Sequence, residues 1–244
     1  MDSTPTMDGA ENRSPSVQPV DPGALMGAAR GLAWLSGSLL CTVLLLMGAV
    51  EIRLLNLFHA PTFLLGTALG VCGLAFLRPA DRLSPPGRRR RRMARGLLLL
   101  QVYFAPFIGW WQAAPENLYF FMNVLLFLLS LAGLLLLINR LAGDLGLALA
   151  DANVVSEARL CRLVIQLLVT PSILVVGLLG TARRTDFINP SAYLSAVLPE
   201  SDLPPWLYTA LMAGVLMTVM VCWKGVQSGY RLLMRSPSPP PGAA

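Results

Sequence analysis

The sequence predicts an all-α polytopic integral membrane protein, a bundle of six transmembrane helices with both termini cytoplasmic. Three observations predict it. Of 244 residues, 55% are hydrophobic and 13% charged, against about 25% charged in an ordinary soluble domain. The apolar residues gather into six runs, each near the roughly 20 residues that cross a hydrocarbon core. The basic residues crowd onto alternate connections between those runs, the pattern that orients helices in a bilayer.

Residues 1–24 hold Pro, Ser, Asp and Gly without apolar periodicity. So little apolar surface does not offset ordering entropy, so a disordered cytoplasmic tail is expected there. Met1, Met7 and Met26 each fit a start. A membrane domain is expected over 25–235. Its first span, 32–50 (LAWLSGSLLCTVLLLMGAV), reads as an uncleaved anchor, because no basic start or small-x-small site frames it as a secretory signal. The second is 60–77, with Pro61 opening the helix. The third, 97–114, carries Pro106 in its middle, where a lost backbone hydrogen bond predicts a kink. A re-entrant third segment is the rival, and it would reverse everything after it.

The fourth span, 118–138, holds about fifteen strongly apolar residues, each contributing roughly −0.3 to −0.6 kcal/mol to insertion. Residues 139–162 could extend the fourth and fifth helices beyond the membrane, with Asp151 as N-cap and Glu157 ahead of basic residues. The fifth span is 163–180, where Thr170-Pro171 is expected to open the helix and free a carbonyl. An external connection follows. Asn189-Pro190 opens a short helix there, with Tyr193, Leu194, Val197 and Leu198 on one membrane-facing side. The sixth span is 206–223, and 236–244 is a disordered, proline-rich tail.

Orientation follows from counting. With a cytoplasmic amino terminus, sixteen basic residues lie inside and three, Arg53, Arg183 and Arg184, lie outside. The inside set includes Arg88, Arg89, Arg90, Arg91 and Arg92, in PPGRRRRRMARG. At roughly +2.5 to +3.5 kcal/mol for each arginine at mid-membrane, this connection is held in the cytoplasm as an orientation lock. It can also touch anionic headgroups of the lipid bilayer on that face. Nucleic-acid binding is excluded, since no folded reading surface adjoins the run. Trp110, Trp111, Tyr119, Trp206 and Tyr208 fall at the outer interface, Trp34 and Trp223 at the inner one. Composition points to a bacterial cytoplasmic (inner) membrane.

Chemistry-bearing groups are few. His59 is the sole histidine, and with Glu51 and Arg53 it makes one outer cluster fit for proton handling or headgroup binding. A single histidine excludes bis-histidine haem and histidine-rich zinc sites within one chain. Intramembrane HExxH and paired aspartates are absent from the sequence. Cys41, Cys72, Cys161 and Cys222 have no metal or disulfide spacing. No cofactor is therefore expected. Gln101, Asn123, Gln166 and Thr170 are read as bonding between helices. Gly66 with Gly70, and Ala210 with Gly214, place small residues on one helical face for close packing.

These features favour a scaffold, anchor or accessory subunit of a membrane complex over an enzyme, with a membrane-protein partner or a homo-oligomer. The alternatives are a transporter or channel for a small neutral or lipidic solute, and a lipid-modifying enzyme acting through Glu51, Arg53 and His59.

Overall fold

The computed structural model describes residues 22–48, 59–79, 87–114, 116–184 and 204–235, and every regular element among them is helical. In chain order these are α1 (Pro22–Gly48), α2 (His59–Phe76), α3 (Gly87–Ala113), α4 (Leu118–Ala148) and α5 (Ala152–Val164). A single π-helical turn (Ile165–Val169) joins α5 to α6 (Thr170–Arg184), and α7 (Pro205–Arg235) closes the bundle. The expected tail, 1–24, ends inside a helix, because α1 already begins at Pro22. The remainder of that tail, residues 236–244, the connection with Glu51 and Arg53, and the expected surface helix after Asn189 lie outside the described residues.

Five helical segments are long and apolar enough to cross a membrane: Pro22–Leu45, Gly87–Ala113, Leu118–Ala148, Ala152–Ala182 and Pro205–Met234. The protein is a membrane-embedded helical bundle. The second expected span is a shorter apolar helix, Pro61–Phe76, about 24 Å at 1.5 Å per residue against a core of about 30 Å. α3 is continuous through Pro106. At 27 residues it has the length of a crossing rather than of a re-entrant loop.

Helices joined by a connection run antiparallel, α4 and α7 run parallel, and the two ends of the bundle differ. At one end α1, α3 and α5 begin, and α4 and α7 finish, about ten residues beyond the spans expected from hydropathy. Hydropathy detects only what lipid requires. The helix continues wherever propensity and packing support it, and Ala, Leu and Arg are among the best helix formers. At the opposite end the helices stop close to the apolar limits.

α4 occupies the middle, packed against α3, α5, α6 and α7. Its Leu128, Leu131, Leu135, Ile138 and Ala142 are buried together with Leu207, Leu211 and Val215 of α7 and Leu32, Leu35 and Leu39 of α1. The α1–α2 pair is joined by small residues. A Cβ added at Gly73 would lie 2.9 Å from the Gly31 carbonyl oxygen, and one at Gly66 2.9 Å from Cys41 Cβ. Lipid supplies no hydrophobic drive between helices, so such backbone approach is what holds the pair. Ser38 adds a direct tie, donating from Oγ to the Gly66 carbonyl at 2.6 Å.

Candidate functional site

Two places concentrate polar chemistry. The first is the end where the helices overhang. The arginine run, expected as part of a connection, is instead the opening of α3. Arginine has high helix propensity, but five at a helix amino terminus oppose the macrodipole. The run is therefore divided. Arg91 is buried at 8% exposure on the same face as Ala94, Leu98 and Gln101, whereas Arg88, Arg89 and Arg92 are exposed. Arg90 forms an ion pair through Nη1 with Asp144 of α4. One turn further along α3, Arg95 donates from Nη2 to the Leu74 carbonyl of α2 at 3.4 Å.

The same end ties α5 to α7. Lys224 pairs with Glu157. Ser228 Oγ donates to Asp151 Oδ2 at 2.6 Å. The other oxygen of Asp151 accepts the N–H groups of Asn153 (3.0 Å) and Val154 (3.3 Å), as an N-cap does. The Ser228 hydroxyl, helped by these N–H groups and by Arg231, holds the Asp151 carboxyl below the usual carboxylate range, against the opposing effect of burial. The turn before it is a Schellman closure. Asp151 N–H donates to Gly146 O and Ala150 N–H to Leu147 O, with Ala150 at φ 52°.

The second place is interior. Asn139 of α4, Cys161 of α5 and Thr218 of α7 are each 0% exposed. Asn139 Nδ2 donates to Thr218 Oγ1 at 2.8 Å and to Leu135 O at 2.9 Å. Thr218 Oγ1 donates to Gly214 O at 2.7 Å, and Cys161 Sγ stands 3.5 Å from that hydroxyl. Asn139 Oδ1 has no hydrogen-bond partner among the described residues. The polar neighbours of the Cys161 thiol are a hydroxyl and an amide, neither of them a base. The cluster fits helix cohesion better than nucleophilic chemistry.

The π-turn lies beside it. Pro171 has no N–H and its ring crowds the preceding turn, so the ladder widens. Thr170 satisfies the Ile165 carbonyl with both its N–H and its hydroxyl, the latter at 3.1 Å. The sequence expectation of an opened helix at Thr170-Pro171 thus takes the specific form of a π-turn. Ile165 and Val169 pack on Gly214, where an added Cβ would stand 3.1 Å from Val169 Cγ2. Ala210 is buried one turn away.

Gly66 and Gly70 both face α1. Gln101 is buried with Nε2 unpartnered among the described residues. Asn123 donates within its own helix, to Tyr119 O, and Gln166 is exposed. Among the described residues none of Gln101, Asn123, Gln166 and Thr170 bonds to another helix; that role falls to Ser38, Asn139 and Thr218. Span-by-span reading overlooked Asn139 because it sits just past the fourth apolar run, where a polar residue looks like a boundary. His59 is the first residue of α2, its side chain undescribed, and Glu51 and Arg53 lie outside the described residues. The four cysteines are free.

At the far end the contacts are aromatic. The Phe107 ring meets Tyr103, Phe104, Trp110, Tyr119 and Phe120 with centroids 5.0 to 6.4 Å apart. Comparison with known proteins finds no matching family model, no matching curated protein and no matching solved structure.

Proposed function

We propose that the chain is a non-catalytic component of a membrane complex: a scaffold, anchor or accessory subunit. One observation carries this reading. The interior hydroxyl and amide groups of Ser38, Asn139 and Thr218 are committed to helix–helix bonds rather than arrayed along a route. The α1–α2 seam is closed to the width of a hydrogen atom at Gly31, Gly66, Gly70 and Gly73. Such packing supports a fixed platform. Its outer surface carries an apolar ridge on the α5–α6 rod, where Leu160, Leu163, Leu167, Leu174 and Leu178 are exposed.

In this reading α2 is a sixth, thin crossing, and both termini face the cytoplasm of a bacterial inner membrane. The sixteen-to-three division of basic residues supports that orientation. Arg88, Arg89 and Arg92 then meet anionic headgroups at the cytoplasmic face. Purification in mild detergent should recover a stoichiometric membrane-protein partner or a defined homo-oligomer. A monomer recovered alone under every mild condition would remove the scaffold role. Reporter fusions at Arg88 and Ala244 that report an external location would overturn the orientation.

One observation favours the transporter reading: a π-turn beside the unpartnered Asn139 oxygen, since π-turns cluster at functional sites. Solute flux in proteoliposomes that is abolished by Asn139→Leu would place this reading first.

A further inference from the structure

The overhanging end carries a second basic group, distinct from the exposed arginines of the α3 opening. Arg140 and Asp144 stand one turn apart on one face of α4, and Arg159 and Arg162 stand three residues apart on α5, which packs against α4. Arg90 reaches the same place from α3 through its ion pair with Asp144. Arg162 is within electrostatic range of Arg140, Arg159, Arg90 and Asp144. Arg162 therefore neighbours three further guanidinium groups, from three helices in all, and one carboxylate, which is paired with Arg90.

The arrangement is built rather than scattered. Arg162 Nε donates to the Ala158 carbonyl at 3.2 Å, which fixes the guanidinium plane. Asp144 fixes Arg90 in the same way. Arg140 and Arg159 are exposed and make no hydrogen bond or ion pair with protein among the described residues. Like charges held together on three rigid elements repel one another unless an anion joins them, and planar guanidinium forks match the oxygens of a phosphate. Depth agrees. α4 has 31 residues, about 46 Å at 1.5 Å per residue, so its last turns pass beyond a core of about 30 Å to the level of headgroups.

We infer that Arg90, Arg140, Arg159 and Arg162 form a binding site for a phosphate group at the junction of α3, α4 and α5. An anionic phospholipid headgroup and a free phosphate compound share that chemistry. Asp144 is the resident counter-charge that keeps Arg90 in place. The site rests on the membrane-embedded fold but not on a scaffold role, and purified protein is enough to test it.

The full chain would be placed in nanodiscs of neutral lipid containing a minor share of phosphatidylglycerol, and bound lipid counted by native mass spectrometry. A parallel arm would titrate inorganic phosphate in neutral detergent and follow thermal stability. The test variant is Arg140→Gln with Arg159→Gln, both exposed. The control is Arg30→Gln with Arg78→Gln, two exposed arginines that remove the same charge elsewhere. The expected result is phosphatidylglycerol retention that falls about tenfold in the test variant and is unchanged in the control. Lipid retention without a response to inorganic phosphate supports the site and assigns it to a headgroup. A response to both supports it and admits a soluble phosphate compound. Equal losses in test and control would show diffuse attraction and overturn the site, as would wild-type protein that binds neither probe.

Discussion

The two ends of this bundle are closed by different physics. At the overhanging end, helices meet through glycine backbones and directed polar ties: Arg90 to Asp144, Arg95 to Leu74, Lys224 to Glu157 and Ser228 to Asp151. At the other end a cluster of rings around Phe107 joins α3 to α4. A directed tie fixes register, because only one pairing satisfies it. A ring cluster fixes proximity but tolerates small shifts, since offset and edge-on arrangements are close in energy. One end therefore sets the alignment of the helices, and the other accommodates it.

Substitutions at each end test that contrast. The largest effect is expected from Gly73→Val, which forces side-chain atoms into the Gly31 carbonyl. Backbone cannot yield as a flexible side chain does, so a loss of about 3 kcal/mol is expected, read by denaturant or steric-trap unfolding. Phe107→Ala should cost about 2 kcal/mol, because in lipid the packing loss remains while most of the transfer term does not. Phe107→Leu should recover over half of that. If the two are equally damaging, the aromatic end is as directional as its counterpart and the contrast fails.

Asp144→Asn should follow at about 1 to 2 kcal/mol, since it leaves Arg90 unpaired beside three other arginines. The difference from wild type should shrink toward about 1 M salt, where screening acts over about 3 Å. Ser228→Ala should cost about 1 kcal/mol at neutral pH and change the acid limb. The folded Asp151 carboxyl lies below its ordinary value of 3.8. Its stabilisation is therefore complete above that value and is lost as pH falls through the depressed one. Without the Ser228 hydroxyl less is lost, so the acid limb of a stability–pH curve becomes shallower. An unaltered limb would mean the tie is not formed in the membrane.

The smallest effect expected is a gain. Ala150→Gly relieves the left-handed backbone at φ 52° and should stabilise by about 1 kcal/mol or less. A loss instead would mean that the Schellman turn does not form.

The contrast also separates what sequence could show from what it could not. Apolar runs locate the lipid-facing lengths of α1, α3, α4, α6 and α7, and Asp151 is legible as a cap because its signal is local. The aromatic end is legible too, since it coincides with the limits of the apolar runs. The overhanging end is legible only in the extension of the fourth and fifth helices over 139–162, and its pairings are not. The partner of Arg90 lies 54 residues away and that of Asn139 lies 79 residues away, and no periodicity within one helix encodes such pairs. A run of arginines also suggests a solvated connection, because its role at the opening of α3 depends on a carboxylate from α4. The shortfall of α2 is visible only once its length is compared with those of its neighbours.

The π-turn has a further consequence, for phase. The buried positions along the α5–α6 rod run Val154, Ala158, Cys161, Ile165, Val169, Ile173 and Val176. Three consecutive steps of four, from Cys161 to Ile173, would rotate the inward stripe by roughly 120° on a uniform α-helix. One surplus residue in a widened turn takes up about 100° of that drift. Pro171 thus does more than interrupt hydrogen bonding. It sets the place where one residue is inserted without turning the rod, so that Cys161 before the widened turn and Ile173 after it look into the same interior.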